Sequence, residues 1–471
     1  MDYIGIKFTK ERGVNMLISK EKNFYKLILS IALPIALQNL ITFAVSMIDT
    51  MMLGSLGEVQ LSAASIGNNL FFILMILIFG LAGGSNILIS QYWGKGDVKT
   101  IHKILSIMYR GCIIIAAIFI AIATIFPVSF MKIYTTDARV IQEGATYLRV
   151  VAIGYIFYAI TNATIMMLRS VKTVKISLVV YSASLIVNAF FNYILIFGRF
   201  GAPALGVKGA AIATVIARIT EFTIVLIFMV KFENKISLKA RHLFKVDKLI
   251  LKDFLTNCTP VLFNEFLWST GSTMISIIIG RLGTETVAAN SISNVVFQFV
   301  TVFIFGLSNA TAVIIGNTIG EGRNEKAKEY SRTVGVLSII MGAMAGCVIL
   351  IIRPIVVDFY NVSQTTKDIA IQIMNSMSII VIFQSFGVTL MMGVLRGGGD
   401  AKFVLVNDII FLWLVAIPCG FLTAFVLKWP IAAVFFVVKS DEIIKSIIAS
   451  VRVLSGKWVR NVTRDFELEE A

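Results

Sequence analysis

The chain contains 471 residues, of which 57% are hydrophobic and only 15% are charged, and its mean hydropathy is +0.87. This composition excludes an ordinary water-soluble protein, because such proteins carry a larger share of charged residues. The formal net charge of +15 would suit either a nucleic-acid binder or a membrane protein that contacts anionic lipid. The positions of the basic residues must therefore decide between these two classes.

Charge-poor runs that are long enough to cross a bilayer recur along the whole chain. About 20 helical residues cross roughly 30 Å of hydrocarbon, and on this criterion the sequence predicts twelve transmembrane spans. They lie at about 27–52, 60–90, 111–131, 150–168, 176–198, 208–230, 254–280, 286–319, 333–352, 369–395, 403–427 and 430–450. The second half of the last span is amphipathic, and we expect it to emerge into the cytoplasm as a helix.

The basic residues indicate how the chain is oriented in the membrane. If the N-terminus is cytoplasmic, most of the 42 lysine and arginine residues lie in the two tails and in the loops on the cytoplasmic side. This excess is the usual pattern of multi-pass membrane proteins. We therefore predict a protein of a bacterial cytoplasmic membrane with both termini inside. The pattern favours membrane lipid as a partner and excludes nucleic acid, and we expect a monomer.

An internal repeat accounts for the number of spans. Residues 34–96 recur in register, without a gap, at residues 260–322, so that Pro34 matches Pro260 and a shared Ile-Phe-Gly-Leu sequence follows in each copy. Six spans separate the copies, and because six is even, both copies enter the membrane from the same side. The repeats are therefore parallel, as in transporters that build two lobes around a central pathway.

The repeat also predicts the domain organisation of an all-α membrane protein with two six-helix lobes. The linker is basic, and we expect it to be cytoplasmic. The predicted parts are an N-terminal cytoplasmic tail at 1–26, an N-lobe at 27–230, a cytoplasmic linker at 231–253, a C-lobe at 254–450 and a C-terminal cytoplasmic tail at 451–471.

The sequence contains no pattern typical of an enzyme. The four cysteines stand apart, without metal or redox spacing, both histidines lie in predicted cytoplasmic loops, and no Gly-x4-Gly-Lys-Ser/Thr motif occurs. We therefore expect no catalytic residues, no resident cofactor and no nucleotide hydrolysis by this chain.

Asp49 is an acidic residue inside the first predicted span. A charge at the bilayer centre costs about 2.5–3.5 kcal/mol on insertion scales, so intramembrane acids usually face a cavity and bind a cation or a proton. Asp49 lies toward the outer end of its span, so it is either such a group or an interfacial one. We predict the first role, which would make Asp49 a cation-coupling residue.

Two asparagines in the fifth span share one helix face. Asn188 and Asn192 are four residues apart, and Asn162 of the fourth span, with Tyr155 and Tyr158, could join them. An unpaired amide in hydrocarbon costs several kcal/mol, so these side chains must find partners. Hydrogen bonds between helices would explain them; so would a cation site that includes Asp49.

Glu265 is the corresponding acidic residue of the second half, about two turns into the seventh span. One interpretation is a C-lobe coupling carboxylate, because burial favours the protonated form of such a group. The other is a hydrogen-bonding group that joins helices. In either case we expect Glu265 to be the only carboxylate buried in the C-lobe.

The substrate cavity of such a protein would combine apolar and polar side chains. Methionine and aromatic faces adapt to diverse ligands and attract organic cations. The candidate lining residues are Tyr155, Tyr158, Met166, Gln384, Ser385 and Met391, and each of them could instead serve only in packing.

Several local sequences together resemble the multidrug and toxic compound extrusion (MATE) transporters. The similarity extends over about 27–460. The matching pieces are Pro34, Val45–Thr50, Gly54, Phe79–Ser85, Gln91–Gly94, Leu168-Arg169, Asn188 with Asn192–Gly198, Gly206–Ala211 and Leu395–Asp400.

This resemblance implies a V-shaped molecule of two six-helix lobes that exports cationic amphiphilic compounds in exchange for Na⁺ or H⁺. By position, it implies an N-lobe cation site at Asp49, Asn162, Asn188 and Asn192, with Na⁺ held at Asp49 if that is the coupling ion. Asn192 stands where one branch of the family has Asp. In the C-lobe, Glu265 resembles the helix-7 acid of the other branch, but Ser385 stands in place of its helix-10 Asp.

Two other functions stay open at this level. A flippase for lipid-linked oligosaccharide, of the same superfamily, would share the helical repeat but should line its cavity with basic residues, and only Arg218 lies within a predicted span. A polytopic membrane enzyme is the other alternative, which the repeat and the missing enzyme motifs disfavour.

Overall fold

The computed structural model describes residues 18–239, 247–360 and 362–464, and within these ranges all regular secondary structure is helical. The first half contains α1 (Lys22–Gly54), α2 (Glu58–Lys95), α3 (Val98–Ile125), α4 (Pro127–Tyr134), α5 (Ala138–Val151), α6 (Ile153–Ser170), α7 (Lys175–Phe197) and α8 (Gly206–Lys231). The second half contains α9 (Lys248–Gly280), α10 (Thr284–Gly320), α11 (Asn324–Phe359), α12 (Gln364–Leu395), α13 (Ala401–Val426), α14 (Ile431–Lys439) and α15 (Asp441–Leu454).

The helices agree with the predicted all-α membrane architecture. Among the described residues, nine helices are long and apolar enough to cross a membrane, and the pair α5 and α6, bent by 49°, adds a tenth. Helix α9 falls outside this set, although it is 33 residues long, and it carries Asn264 and Glu265 near its middle. The twelfth predicted span is divided into α14 and α15. Each of the twelve predicted spans therefore overlaps one helix or a pair.

Breaks between helices follow from local sequence. Helix α4 starts at Pro127, because proline suits the first turn of a helix but cannot continue the preceding one. Gly57 and Gly283, which occupy equivalent positions of the repeat, have φ of +128° and +120° in the turns before α2 and α10. Residues with a Cβ rarely adopt such angles, which explains why glycine recurs there.

Parts of the second half depart from α-helical geometry. The end of α12, Thr389–Leu395, is a π-helix, and α13 contains two further π segments at Ile409–Ala416 and Leu422–Val426. Such widened turns are rare and are frequently found at functional sites. They lie in α12, which ends directly before Arg396, and in α13, which carries Asp408; both residues belong to the C-lobe site described below.

The two halves pack against each other through α1 and α2 of the first and α9 and α10 of the second. Glycines make this approach close: a Cβ on Gly84 would lie 2.6 Å from the Cα of Cys258, and one on Gly306 would lie 2.8 Å from the carbonyl oxygen of Ala32. Apart from Leu53, every buried residue of α1 lies between positions 24 and 38. These contacts join the halves near one end, at the start of α1 and the end of α2.

The predicted linker contacts the N-lobe. The His102 ring lies 2.8 Å from the carbonyl oxygen of Ile236, and the Lys103 ammonium lies 2.7 Å from a carboxylate oxygen of Asp247. The hydrogen bond from Lys103 lowers the pKa of Asp247 below its ordinary value, and Asp247 also caps the start of α9. Residues 240–246 of the linker lie outside the described residues.

Candidate ion-coupling sites and the interlobe cavity

Asp49 lies in a hydrogen-bonded cluster with the asparagine pair of α7. The Asn192 amide nitrogen donates to a carboxylate oxygen of Asp49 at 2.5 Å and to the Asn188 side-chain oxygen at 3.1 Å. The spacing of Asn188 and Asn192 on α7 directs both toward α1, where Asp49 lies in the last turns. The structure thus brings three of the predicted coupling residues together.

The cluster also contains an unused acceptor. The side-chain oxygen of Asn192 is buried and has no hydrogen-bond partner. A buried polar atom normally has one, so an orphan of this kind calls for an explanation such as an absent ion. Together with the Asp49 carboxylate it supplies oxygen ligands, which suit hard cations. The residues therefore fit a monovalent cation or a proton.

Asn162 makes a different set of contacts. Its amide nitrogen donates to the carbonyl oxygen of Tyr158 at 3.3 Å, and its oxygen accepts from the Tyr181 hydroxyl at 3.3 Å. The second bond ties α6 to α7, and neither bond reaches Asp49 in this conformation. Tyr155, also on α6, is buried and its hydroxyl has no partner.

An ion pair that was not predicted as a site lies in the same lobe; its carboxylate is fully buried and its arginine side chain is 19% exposed. One Arg218 nitrogen lies 2.8 and 3.0 Å from the two carboxylate oxygens of Glu221, and the Ser184 hydroxyl donates to that carboxylate at 2.5 Å. The Arg218 guanidinium also lies 5.1 Å from the ring centre of Tyr158 and 5.4 Å from that of Phe71. The three-residue spacing of two opposite charges within one apolar span is the signal that could have identified the pair.

Glu265 pairs with a basic residue from a distant part of the chain. An Arg396 nitrogen lies 2.6 Å from a Glu265 carboxylate oxygen, and another donates to the side-chain oxygen of Asn264. Both charged residues are about 10% exposed at the side chain. The pair is 131 residues apart in sequence, so no local pattern could reveal it.

The expectation that Glu265 is the only buried carboxylate of the C-lobe is wrong. The Asn264 amide donates at 2.7 Å to Asp408, which lies 3.0 Å from the Lys445 ammonium, and Lys445 lies 2.7 Å from Asp441. Lys445 and Asp441 are 2% and 3% exposed. The first turns of α15 are therefore packed against the lobe, and the expectation that this helix emerges into the cytoplasm stays a prediction. Ion pairing across helices makes their burial tolerable.

The internal repeat extends to one of these contacts. Arg169 donates at 2.6 Å to the side-chain oxygen of Gln38, and Arg396 donates to Asn264, the residue equivalent to Gln38 in the second copy. Each arginine ends a helix of its lobe and holds the helix that starts the repeat. Only the C-lobe adds an acid, Glu265, to this contact.

The remaining predicted cavity residues separate into two groups. Met166 lines a cavity between the lobes, but Gln384, Ser385 and Met391 are buried in helix packing. The Ser385 hydroxyl donates to the carbonyl oxygen of Ser338 at 2.7 Å, and the Met391 sulfur lies 3.5 Å from the Asn407 amide nitrogen. Tyr155 and Tyr158 are likewise buried and do not line this cavity.

The interlobe cavity is lined by both halves of the chain. Its wall mixes amides, hydroxyls, two methionines, one phenylalanine and one arginine. The lining residues are Phe79, Gly83, Asn86, Ile87, Ser90, Met166, Ser308, Asn309, Ala312, Met392, Arg396 and Gly397. Because Glu265 pairs with Arg396, the arginine does not give this wall an uncompensated positive charge.

A family model described as MatE matches residues 34–194 and 260–422, which together make up more than half of the chain. The two matched segments begin at Pro34 and Pro260, where the two copies of the internal repeat begin. The family match therefore follows the duplication read from the sequence.

Similar proteins cover most of the chain. A protein of Thermotoga maritima described as probable multidrug resistance protein NorM is 24% identical over 443 residues, covering 92% of this chain and 93% of its own. One with the same description from Halalkalibacterium halodurans is 27% identical over 407 residues, covering 85% and 87%. Multidrug resistance protein MdtK of Photorhabdus laumondii is 22% identical over 399 residues, covering 84% and 86%.

Solved structures share the fold. A multidrug resistance MATE family transporter of the MOP superfamily, in its outward-facing conformation, has a TM-score of 0.82 at 18% identity, covering 95% of this chain and 99% of its own. A MOP superfamily transporter from Pyrococcus furiosus has a TM-score of 0.83 at 18% identity with the same coverage, and it is described as having a binding pocket of reversed polarity. At 18% identity, these two structures show that the fold is shared and nothing further.

Proposed function

The chain belongs to the MatE family of multi-pass membrane transporters, and we propose that it is a cation-coupled antiporter that exports cationic amphiphilic compounds across the cytoplasmic membrane. The names of its relatives, which describe multidrug resistance proteins, support efflux of small molecules as its activity. The coupling ion is Na⁺ or H⁺, and the chain works without an enzymatic step.

The cluster of Asp49, Asn188 and Asn192 is the observation that carries the coupling role. It combines a carboxylate, which can be neutralised by a cation or a proton, with the buried and unpaired oxygen of Asn192. An intramembrane acid with an open acceptor beside it is the arrangement expected of an ion pathway. In this proposal Asp49 binds the ion, Asn192 supplies a second ligand, and Asn188 positions Asn192.

The orientation of the lobes supports an outward-facing state for this conformation. With the N-terminus inside, the start of α1 and the end of α2 lie at the cytoplasmic end, where the two halves meet. The ion then reaches Asp49 from outside, and its binding favours the helix arrangement to which it binds more tightly. A charge that moves inward across the membrane gains about 2.3 kcal/mol per 100 mV, which drives export.

In this conformation the interlobe cavity has a volume of only about 30 Å³, so we propose that its walls form part of a wider site that holds the exported compound. Phe79, Met166 and Met392 offer adaptable apolar contacts, and Asn86 and Asn309 offer hydrogen bonds. Lipid-linked oligosaccharide would require uncompensated positive charge against its pyrophosphate. Arg396 is the basic residue in this wall, and Glu265 neutralises it, which favours an organic cation over the flippase substrate.

An efflux assay in a bacterial host that lacks its own multidrug pumps tests this proposal. Cells that produce the protein should expel a fluorescent organic cation faster than cells that carry an empty vector, and Asp49→Asn should abolish the difference. Asp358→Asn is a suitable control, because this aspartate is largely exposed, 3.4 Å from Lys367. Equal efflux with and without the protein, at matched membrane levels, would contradict the proposal.

A further inference from the structure

The segment after α15, residues 455–464, runs across the end of the molecule where the two lobes meet. It is fixed to the C-lobe by Trp458, which is fully buried, and whose indole nitrogen donates to the carbonyl oxygen of Val453 at 2.9 Å. Residue 398 can pack against Trp458 because it is a glycine: a Cβ there would lie 2.7 Å from ring carbon Cζ3 and 2.8 Å from the carbonyl oxygen of Trp458. The Arg460 backbone also donates to the Gly398 carbonyl oxygen at 2.9 Å.

The same segment is bonded to the N-lobe through the end of α2. The buried Gln91 amide donates to the carbonyl oxygens of Arg460 and Gly397, at 3.1 and 3.3 Å, and its oxygen accepts from the backbone of Val462 at 2.8 Å. All three bonds of this one N-lobe side chain therefore go to C-terminal parts of the chain. Opening the lobes at this end would break these three hydrogen bonds, and the Gln91 amide would then need water as its partner.

Arg464 joins both lobes by itself. Its backbone nitrogen donates to the Tyr92 hydroxyl at 3.0 Å, and its carbonyl oxygen accepts from Lys95 at 2.7 Å, so its main chain is held by α2. Its guanidinium lies 2.5 and 2.9 Å from the two carboxylate oxygens of Asp253, which belongs to α9 of the other half. A bidentate pair of this kind is among the stronger hydrogen-bonded contacts of proteins.

We propose that residues 455–464 form a latch that holds the two lobes together at their cytoplasmic end and must release before the transporter opens inward. The inference rests on the alternating movement of the lobes that the proposed antiport requires. The latch stabilises the outward-facing state, because Gln91 bonds the N-lobe to the segment and Arg464 bridges α2 of the N-lobe to α9 of the C-lobe, so that inward opening must break contacts of both residues. Its loss shifts the equilibrium toward the inward-open state without touching the ion cluster at Asp49.

The test compares distances between spin labels at the cytoplasmic ends of the lobes. Cysteines replace Lys99, near the start of α3, and Asn324, at the start of α11, which are exposed positions outside the latch. Distance distributions are measured in lipid nanodiscs by pulsed electron paramagnetic resonance. Arg464→Ala and Gln91→Leu each remove latch contacts, and Lys457→Ala, an exposed side chain in the same segment, is the matched control.

Arg464→Ala and Gln91→Leu should raise the ratio of long to short distances about tenfold, the size expected for loss of a charge-assisted or buried hydrogen bond. Lys457→Ala should leave the distribution unchanged. The double variant Asp253→Arg with Arg464→Asp exchanges the two charges and should return the distance distribution toward that of the parent protein. Asp253→Arg alone should not. Recovery would show that the pair itself acts, and not general damage to the fold.

Two results would overturn the latch in distinguishable ways. In the first, the parent protein shows the long distance with some ion or drug added, and the latch variants show it to the same extent. Residues 455–464 would then only pack on the C-lobe and would not control opening. In the second, neither the parent nor any variant shows the long distance in any condition, so the alternating movement fails, and the latch fails with it.

Discussion

Asp49 is held by a single amide contact on one oxygen, and the adjacent Asn192 oxygen has no partner. We predict that Asp49→Asn abolishes ion-coupled export but leaves membrane insertion and folding almost intact, because the neutral amide keeps the size of the side chain and loses only the charge. Transport by purified variant in proteoliposomes and its elution profile on size exclusion check the two parts. Retained transport would remove Asp49 from the coupling mechanism.

We expect substitution of Glu265 to affect stability as well as transport, because Glu265 neutralises Arg396 in the interior of the C-lobe. Removing one member of a buried pair leaves the other charge uncompensated, at a cost of about 3–5 kcal/mol. We predict that Glu265→Gln lowers the melting temperature and impairs transport less completely than Asp49→Asn. The exposed Glu285→Gln serves as control, and equal melting temperatures for both variants would show that the pair does not stabilise the lobe.

Sequence patterns identified the acids and amides better than their partners. Asn188 and Asn192 share a helix face by their spacing alone, so their contact was predictable. Arg396 pairs with Glu265, Asp408 accepts from Asn264, and Lys445 pairs with Asp408, in each case across helices that are distant in sequence. Local patterns carry no information on such pairs, which explains why the partners of Glu265 and Asn264 were not predicted.

At the scale of helices, the contact of α2 with α9 depends on the absence of a side chain at one position. A Cβ on Gly84 would lie 2.6 Å from the Cα of Cys258, whereas one on the adjacent Gly83 would meet no atom within 4 Å. We predict that Gly84→Ala separates the helices and raises the labelling rate of Cys258, which is buried, by a small thiol reagent. Gly83→Ala should label like the parent, and equal rates in all three proteins would contradict the prediction.

Helix positions were largely predictable, because apolar runs and the glycines and prolines that break them are local features. Two features could not be predicted in this way: the π segments of α12 and α13, and the burial of the first turns of α15. They depend on how one helix fits against several others. The amphipathic pattern of α15 correctly indicated two faces, but the buried Lys445 pairs with acids of the lobe and does not face water.

For the whole molecule, the two segments that the family model matches start at the residues where the two copies of the repeat start. The orientation in the membrane stays a prediction. A cysteine at Lys239, in a protein whose four native cysteines are replaced, should react with an impermeant reagent in inside-out vesicles and not in intact cells. Labelling in intact cells would reverse the assignment of the linker and, with it, the outward-facing interpretation of this conformation.

The most direct test of the central claim is substrate-triggered ion release from proteoliposomes that contain the purified protein. Addition of an organic cation on one side should release Na⁺ or H⁺ from the parent, and an imposed inward gradient of the same ion should drive export of the compound. Asp49→Asn should do neither, although it is folded. Release and gradient-driven export that persist in Asp49→Asn, or that are absent from the parent with both ions, would contradict antiport coupled through Asp49.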